Sequence, residues 1–224
     1  MTNEWDKILK NAGVIWNHDG DLRRPFALLT SGAISADFVD LSYAMAQPRI
    51  IAKAAIELAN QLRTEYGTDE FADEFIICGQ MKGSTTLASR VAEELGCGFI
   101  FTNKVGEGPE KKMVVDERFS GIHDPESTVI LVEDVSTSTL TSKLSRDGLK
   151  DFGFTTISAI LATLADRTGG SNDHHFEIKS CYVPEGFRTW VNGENPFTDD
   201  GQEVLEPIRA KSKEGRKAMH QVFA

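Results

Sequence analysis

Residues 129–142 read VILVEDVSTSTLTS, and the passage changes character after its fourth residue. Val129, Ile130, Leu131 and Val132, preceded by Thr128, form an uninterrupted apolar run of β-prone side chains. Such a run fits a strand covered on both faces, as in a parallel sheet flanked by helices. Two carboxylates follow at once, Glu133 and Asp134. Ionised acids at the end of a buried strand are costly unless donors or positive charge satisfy them, and a ribose diol or a metal-bound water would do so. Next come Ser136, Thr137, Ser138, Thr139 and Thr141. They put hydroxyls at the start of a helix predicted over about 139–152, with Leu140 and Leu144 facing inward. Free amides and the positive dipole end of that helix suit a phosphate. The same hydroxyl cluster could cap the helix and do nothing more. Read together, acids for a sugar and a hydroxyl turn for its phosphate stand side by side.

The neighbouring segments repeat the strand, loop, helix pattern. FIIC (75–78) reads as a short buried strand, GQMKGS (79–84) as a glycine-bounded loop, and TTLASRVAEELG as an amphipathic helix carrying Leu87, Ala88, Val91, Ala92 and Leu95 on one face. Residues 48–66 place Ile50, Ile51, Ala54, Ala55, Leu58, Ala59 and Leu62 on one helical face, with Pro48 in the first turn and Gly67 as the stop. Further strands are expected at 98–102, 154–165 and 174–183, the alanines of the second also permitting a helix. His174 and His175 then project to opposite sides of the last strand, and no histidine set has metal-ligand spacing. Alternation of this kind predicts an α/β fold with a parallel sheet covered on both faces. In such sheets ligands gather beyond the carboxyl ends of the strands. Gly79 and Gly83 there allow close backbone approach, and Lys82 between them offers a point charge suited to pyrophosphate. The loop is not a Walker A sequence, and GEGPEK lacks the third glycine of a dinucleotide fingerprint.

Composition narrows the partners. The chain has 224 residues, 40% hydrophobic and 26% charged, enough for one substantial core and no repeat array. Its formal charge of −10 repels polyanions, which argues against nucleic acid or anionic membrane as partner. No run of about 18 apolar residues occurs, and MTNEWDKILKN lacks a signal-peptide pattern, so a cytoplasmic protein is expected. Cys78, Cys97 and Cys181 have no C-x-x-C spacing and read as small buried apolar residues.

The stretch at 129–142 resembles the signature of type I phosphoribosyltransferases: a hydrophobic strand, two acids, and a turn that grips the 5-phosphate of phosphoribosyl pyrophosphate (PRPP). The resemblance implies that Glu133 and Asp134 hold ribose hydroxyls and that Thr137, Ser138, Thr139 and Thr141 line the phosphate turn. Family members usually carry one or two glycines where this chain has Thr139 and Leu140. GQMKGS is similar to the family's pyrophosphate loop, in the Lys-Gly form of the orotate enzymes. RPFALLTSGAISADFVDLSYAMAQP (24–48) resembles the segment those enzymes fold over the base, through Ser31, Gly32, Ser35, Asp40, Pro48 and the aromatic Phe38. LADRTGG (164–170) resembles the Asp-Arg-x-Gly-Gly segment whose arginine faces orotate, which assigns Arg167 to the base; a planar fork of donors suits a carboxylate. YVPEGFRTWVNGENPF (182–197) is similar to a tail of some orotate enzymes, with Phe187 to Trp190 where several of them carry a Cys-Pro-Leu-Cys run.

From this resemblance the expected fold is that of the type I phosphoribosyltransferases: a central, mostly parallel sheet flanked by helices, with a small hood over the base site. A single domain is expected over 1–224, the hood drawn from about 1–48 and the C-terminal part, the core from about 49–184. The implied activity is transfer of phosphoribosyl from Mg-PRPP to orotate, with Mg2+ held by PRPP near Glu133 and Asp134. Orotate enzymes also place a mobile basic loop where NKVGEGPEKKMVVDERF (103–119) stands. Lys104 aligns with a basic residue at its start, while Lys111, Lys112 and Arg118 match no motif position and fit a solvated hairpin equally well. Lys82, Lys104 and Asp134 are thus the expected catalytic residues, and a homodimer is the expected assembly. The same blocks would serve a transferase for another base, or a PRPP-binding regulator without turnover.

Overall fold

The protein is described by a computed structural model over residues 4–29, 32–67, 71–72, 74–168, 174–184, 189–190 and 205–220. The chain divides into two compact units, one from 1–44 with 184–224, the other from 45–183.

The first unit opens with α1 (Glu4–Asn11), whose Trp5 and Leu9 are buried, and continues through β1 (Ile15–Asn17), β2 (Ala27–Leu28), β3 (Ile34–Ser35) and β4 (Asp37–Val39) to α2 (Leu41–Met45). β1 pairs antiparallel with β4, setting Trp16 opposite Phe38. β2 and β3 form a hairpin. Trp16, Ala27, Phe38 and Ala210 pack into one small cluster. Phe26, Ile34 and Ala36 make a second. His18 is buried with its ring stacked 4.0 Å from that of Phe26. Its Nδ1 accepts from the Gly20 amide, which leaves Nε2 to donate to the Arg24 carbonyl.

The second unit follows the sequence pattern closely. α3 spans Pro48–Tyr66 and buries the seven apolar residues its periodicity selects, and it ends at Gly67 in the left-handed conformation, φ 63°. Then come β5 (Phe75–Gln80), α4 (Met81–Leu95), β6 (Gly98–Val105), β7 (Lys112–Val115), β8 (Thr128–Ser136), α5 (Leu140–Phe152), β9 (Ile157–Asp166) and β10 (Glu177–Tyr182). They form a six-stranded sheet in the order β10-β9-β8-β5-β6-β7. All neighbours are parallel except the β6–β7 hairpin at one edge. Every residue of the central β5 is buried, which is why FIIC shows no alternation. Ile76, Cys78, Ile100, Val129, Leu131, Leu149, Phe154 and Leu161 are among the side chains of a core on one sheet face. Cys78 and Cys181 are buried and Cys97 is half-buried, its thiol pushed up to about 11 by desolvation, so none is poised as a thiolate. The run expected at 154–165 is a strand, not a helix, but only from Ile157, because its partners in β8 and β10 take up its backbone groups from there on. The histidine pair corrects the expectation for 174–183: β10 begins only at Glu177, and His175 precedes it at φ 55°.

The first unit is completed by β11 (Thr189–Trp190), β12 (Ile208–Arg209) and α6 (Lys213–His220). β11 adds antiparallel to β3 and β12 adds parallel to β2, giving a sheet ordered β11-β3-β2-β12. Among the described residues no helix is long and apolar enough to cross a membrane.

Candidate active site

β5 and β8 lie side by side at the middle of the sheet, and the chain leaves them in opposite directions, from β5 toward β6 and from β8 toward β9. Connections that diverge in this way open a crevice at the carboxyl ends of the two strands. The acid pair stands there. Glu133 and Asp134 are half-buried, and because strand side chains alternate they point to opposite faces. Glu133 turns toward α5, where the Ser142 hydroxyl donates to Oε2 at 3.2 Å. Asp134 turns toward α4, and a Cβ placed on Gly83 would lie 2.9 Å from its Oδ2. Asp134 Oδ1 accepts from the Val135 amide at 2.9 Å. Gly83 and Asp134, from separate sequence blocks, are therefore brought into contact, and only a missing side chain leaves room for the carboxylate.

Two expectations about these blocks need correction. First, GQMKGS is not a loop: β5 runs through Gln80 and α4 begins at Met81. The Ser84 hydroxyl makes this abrupt junction possible, accepting from the Gln80 amide and donating to the Gln80 carbonyl, each at 2.6 Å. Gly79 sits inside β5, where an added Cβ would come within 3.1 Å of Ala88 Cβ and Thr85 Cα. Its missing side chain lets α4 lie close on the strand. Lys82 belongs to the first turn of α4, and its side chain lies outside the described residues. Second, β8 does not end at Val132. It continues to Ser136 because Glu133, Val135 and Ser136 pair with Thr163, Ala165 and Asp166 of β9.

After β8 the chain turns through Thr137 and Ser138, both exposed, to Thr139, which is buried at φ 53°, ψ 6°. Thr139 Oγ1 donates to the Ser138 carbonyl at 2.8 Å. α5 then starts at Leu140, with Thr141 half-buried in its first turn. The inward face is not the expected one. Leu140 is 45% exposed and Leu144 only partly covered, whereas Ser142, Ser145, Gly148 and Leu149 are buried. A Cβ on Gly148 would sit 2.0 Å from the Met113 carbonyl oxygen. At Gly148 the helix lies against β7 too closely for any side chain, and the buried face is made of Ser142, Ser145, Gly148 and Leu149.

Burial dominates the electrostatics of Glu133. Desolvation and then the neighbouring Asp134 charge push its carboxyl up to about 8, against the smaller opposing pull of the Ser142 hydroxyl and the Lys111 ammonium. Behind it runs a chain of buried polar groups. Gln80 Nε2 donates to Ser142 Oγ at 3.1 Å, and Ser145 Oγ donates to Gln80 Oε1 at 3.4 Å. Thr102 Oγ1 and Ser145 Oγ lie 3.1 Å apart. The donors run toward Glu133, an alignment that polarises each successive bond. Gln80, Ser142, Ser145 and Thr102 escape sequence reasoning because a serine on a helix face reads as solvated. Ser136 Oγ is also buried, without a hydrogen bond among the described residues.

The remaining expected residues fall in several places. Arg167 follows β9 and is half-buried; its amide donates to the Ser136 carbonyl at 2.8 Å, beside the hydroxyl turn. Burial lowers the affinity of its guanidinium for the proton. Lys104 is exposed near the end of β6, opposite Met113 in the β6–β7 hairpin. Lys111 follows a single 3-10 turn in the same hairpin, close enough for its charge to reach Glu133. Arg118 is occupied locally, its Nε and Nη2 each 2.8 Å from an Asp116 oxygen. Gly32 and Phe38 belong to the other unit and line one cleft within it. Ser31, Gly169, Gly170 and most of 182–197 lie outside the described residues.

A mostly parallel sheet with paired acids and a hydroxyl-rich helix start at its switch point defines an α/β protein built to hold a phosphorylated sugar. Its residues 44–201 match the family model of the phosphoribosyl transferase domain, and the chain belongs to that family. It is accordingly a PRPP-dependent pentosyltransferase with the type I phosphoribosyltransferase fold. The structure is similar to that of orotate phosphoribosyltransferase from Aeropyrum pernix, with a TM-score of 0.58 and 20% identity over 79% of this chain and 92% of that one. It is also similar to UMP synthase from Leishmania donovani (TM-score 0.56, 19% identity), covering 80% of this chain and 36% of that one. A third likeness is to orotate phosphoribosyltransferase from Mycobacterium tuberculosis H37Rv (TM-score 0.52, 17% identity), over 79% of this chain and 94% of that one. Comparison with curated protein sequences found no match.

Proposed function

We propose that the chain transfers the phosphoribosyl group of Mg-bound PRPP to a ring nitrogen of orotate, giving orotidine 5'-phosphate and pyrophosphate. The observation that carries the reading is the junction of Gly83, Asp134 and the turn at 137–141, which sets acids, a glycine-lined helix start and hydroxyls around one crevice. In this reading Glu133 and Asp134 take the ribose hydroxyls. Thr137, Ser138, Thr139 and Thr141, with the first amides of α5, take the 5-phosphate. Lys82 and Gly83 face the pyrophosphate, Gly79 serving them by letting α4 lie close on β5; Lys104 approaches it from the hairpin, and Ser31, Gly32, Phe38 and Arg167 address the base. Orotate is favoured over a neutral base by Arg167, since a half-buried guanidinium gains most from a carboxylate.

The reaction needs no covalent nucleophile. The bond from C1' to the pyrophosphate oxygen breaks as the bond to the base nitrogen forms, and positive charge gathers on the ribose. The Asp134 carboxylate and the Glu133 carboxyl, which keeps its proton to higher pH, fix the sugar so that the two partners stay in line. The ammonium groups of Lys82 and Lys104 stabilise charge on the departing oxygen. Closure of the hairpin over the crevice keeps water from the ribose. The carboxyl oxygens of Glu133 and Asp134 are hard donors that would fit a Mg2+ carried by the substrate's phosphates, reached through water or the sugar. When bound, Mg2+ neutralises the pyrophosphate. A homodimer, with the hairpin serving its neighbour's site, belongs to the same proposal.

Loss of orotate absorbance with PRPP and Mg2+ tests the reading directly, beside a panel of uracil, adenine and hypoxanthine. Asp134→Asn should raise the KM for PRPP at least ten-fold with any base. Arg167→Ala should lower kcat/KM for orotate by roughly a hundred-fold, the worth of about 2–3 kcal/mol for a charge-assisted pair. Unchanged orotate use in Arg167→Ala would remove orotate from the proposal.

A further inference from the structure

Glu133 is held from behind by a row of buried polar side chains that crosses three strands. Thr102 of β6 pairs in register with Gln80 of β5. The Gly79–Val132 pair of β5 and β8 then brings the next two residues, Gln80 and Glu133, side by side. Residues in register on parallel strands share a face, so Thr102, Gln80 and Glu133 stand in one line beneath α5. α5 closes the line with Ser142 and Ser145, one turn apart on its buried face. Thr102, Ser142 and Ser145 are wholly buried, and Gln80 is 3% exposed. Only Glu133, at the crevice end of the row, is half-buried.

Counting protons fixes the direction of each bond. Ser142 gives its one hydroxyl proton to Glu133 Oε2 and accepts from Gln80 Nε2. Gln80 Oε1 accepts from Ser145, which leaves Thr102 to donate to Ser145. Each member is satisfied only while the one behind it is in place. Apolar side chains would fill the same space without that condition, and buried hydrogen bonds add little over good packing. The row therefore has a use besides stability: it holds one carboxyl oxygen still. Among the described residues the Glu133 carboxyl has no other hydrogen-bond partner, so Oε1 is left for a ligand. The main chain of Gln80 is pinned as well, by the Ser84 hydroxyl of α4. We infer that Gln80, acting through Ser142, is a positioning residue that aims Glu133 Oε1 at a ribose hydroxyl and sets this acid in register with the β5–α4 junction carrying Lys82 and Gly83. The inference rests on the proposed assignment of Glu133 to the sugar; it adds two residues that touch no substrate yet decide where the sugar sits.

Calorimetric titration of the whole chain separates the two halves of the site with three probes: Mg-PRPP, ribose 5-phosphate and Mg-pyrophosphate. The variants are Ser142→Ala, Gln80→Met, Glu133→Ala, and Glu133→Ala combined with each of the first two. Ser142→Ala removes a single oxygen from a helix that favours alanine, and Gln80→Met nearly keeps the volume. Thermal melts check that each variant folds, and Ser142→Ala decides alone if Gln80→Met does not. Ser142→Ala and Gln80→Met should each weaken Mg-PRPP and ribose 5-phosphate at least five-fold and leave Mg-pyrophosphate within two-fold. On the Glu133→Ala background neither should change any of the three by more than two-fold. Equal loss of all three probes, unchanged sugar binding, or the same further loss on the Glu133→Ala background would overturn the inference and leave Glu133 on the sugar. Glu133→Ala that binds Mg-PRPP and ribose 5-phosphate like wild type would sink the sugar assignment and the inference with it. No acceptor base is present, so every outcome is independent of whether the base is orotate.

Discussion

Thr139 holds a backbone angle that glycine adopts freely and a β-branched residue resists. Of the two positions where the resemblance leads one to expect glycine, only this one needs the left-handed region; Leu140 opens α5 with helical geometry. The strain costs on the order of 1–2 kcal/mol, part of it offset by the bond from Thr139 Oγ1 to the Ser138 carbonyl. The two glycine substitutions should therefore diverge. Thr139→Gly is expected to match or exceed wild-type stability in urea, while Leu140→Gly loses about 0.5–1 kcal/mol of helix propensity. Equal losses at both sites would show that the turn carries no strain. Glu133 gives a second test at this scale. Its carboxyl ordinarily titrates near 4.5 and is raised to about 8 in the folded chain. Between those values the unfolded chain gives up a proton that the folded chain keeps, so stability falls as pH rises through the window. Glu133→Gln removes that dependence. It should melt like wild type near pH 4 and be more stable above pH 8, by on the order of a few kcal/mol at about 1.4 kcal/mol per unit. A constant difference across that range would contradict the assigned burial.

Elements show where reading the sequence succeeds and where it stops. α3 and the strand starts at Phe75 and Thr128 were legible because hydrophobic burial dominates there and leaves a periodic or continuous apolar pattern. The place of the acid pair and of the hydroxyl turn along the chain was legible for the opposite reason, since polar residues directly after a buried apolar run mark where the chain leaves the core. The buried face of α5 was not legible. Periodicity selects leucines, but Gly148 meets β7 at a distance no side chain permits, and Ser142 and Ser145 are buried in hydrogen bonds to Gln80. The sharp passage from β5 to α4 was equally hidden, because one serine hydroxyl replaces the loop that glycines suggest. Gly148 tests the close approach. Gly148→Ala puts a methyl group against the Met113 carbonyl and should cost about 1–3 kcal/mol as α5 is forced off the hairpin strand. In an exposed helix position the same change would stabilise by about 1 kcal/mol. Urea denaturation gives the sign, and a stabilised Gly148→Ala would mean that α5 lies farther from β7.

On the scale of the whole molecule, the chain crosses between its two units only at 44/45 and 183/184. The second unit holds all six strands of the main sheet, the core around Leu131 and Leu149, the acid pair and the hydroxyl turn. A segment with its own core and only two covalent crossings can be excised without breaking a strand pair of that sheet. Residues 45–183 alone are therefore expected to unfold in one cooperative transition by circular dichroism. They should also keep Mg-PRPP binding by calorimetry, because every described residue assigned to the sugar and its phosphates lies within them. Transfer to orotate should fall sharply if Gly32 and Phe38 serve the base as proposed, because both lie in the other unit. Each result bears on a different assignment. A fragment that folds but ignores Mg-PRPP would remove the phosphoribosyl site from the crevice at Asp134. One that still converts orotate would move base recognition out of the terminal segments and onto Arg167.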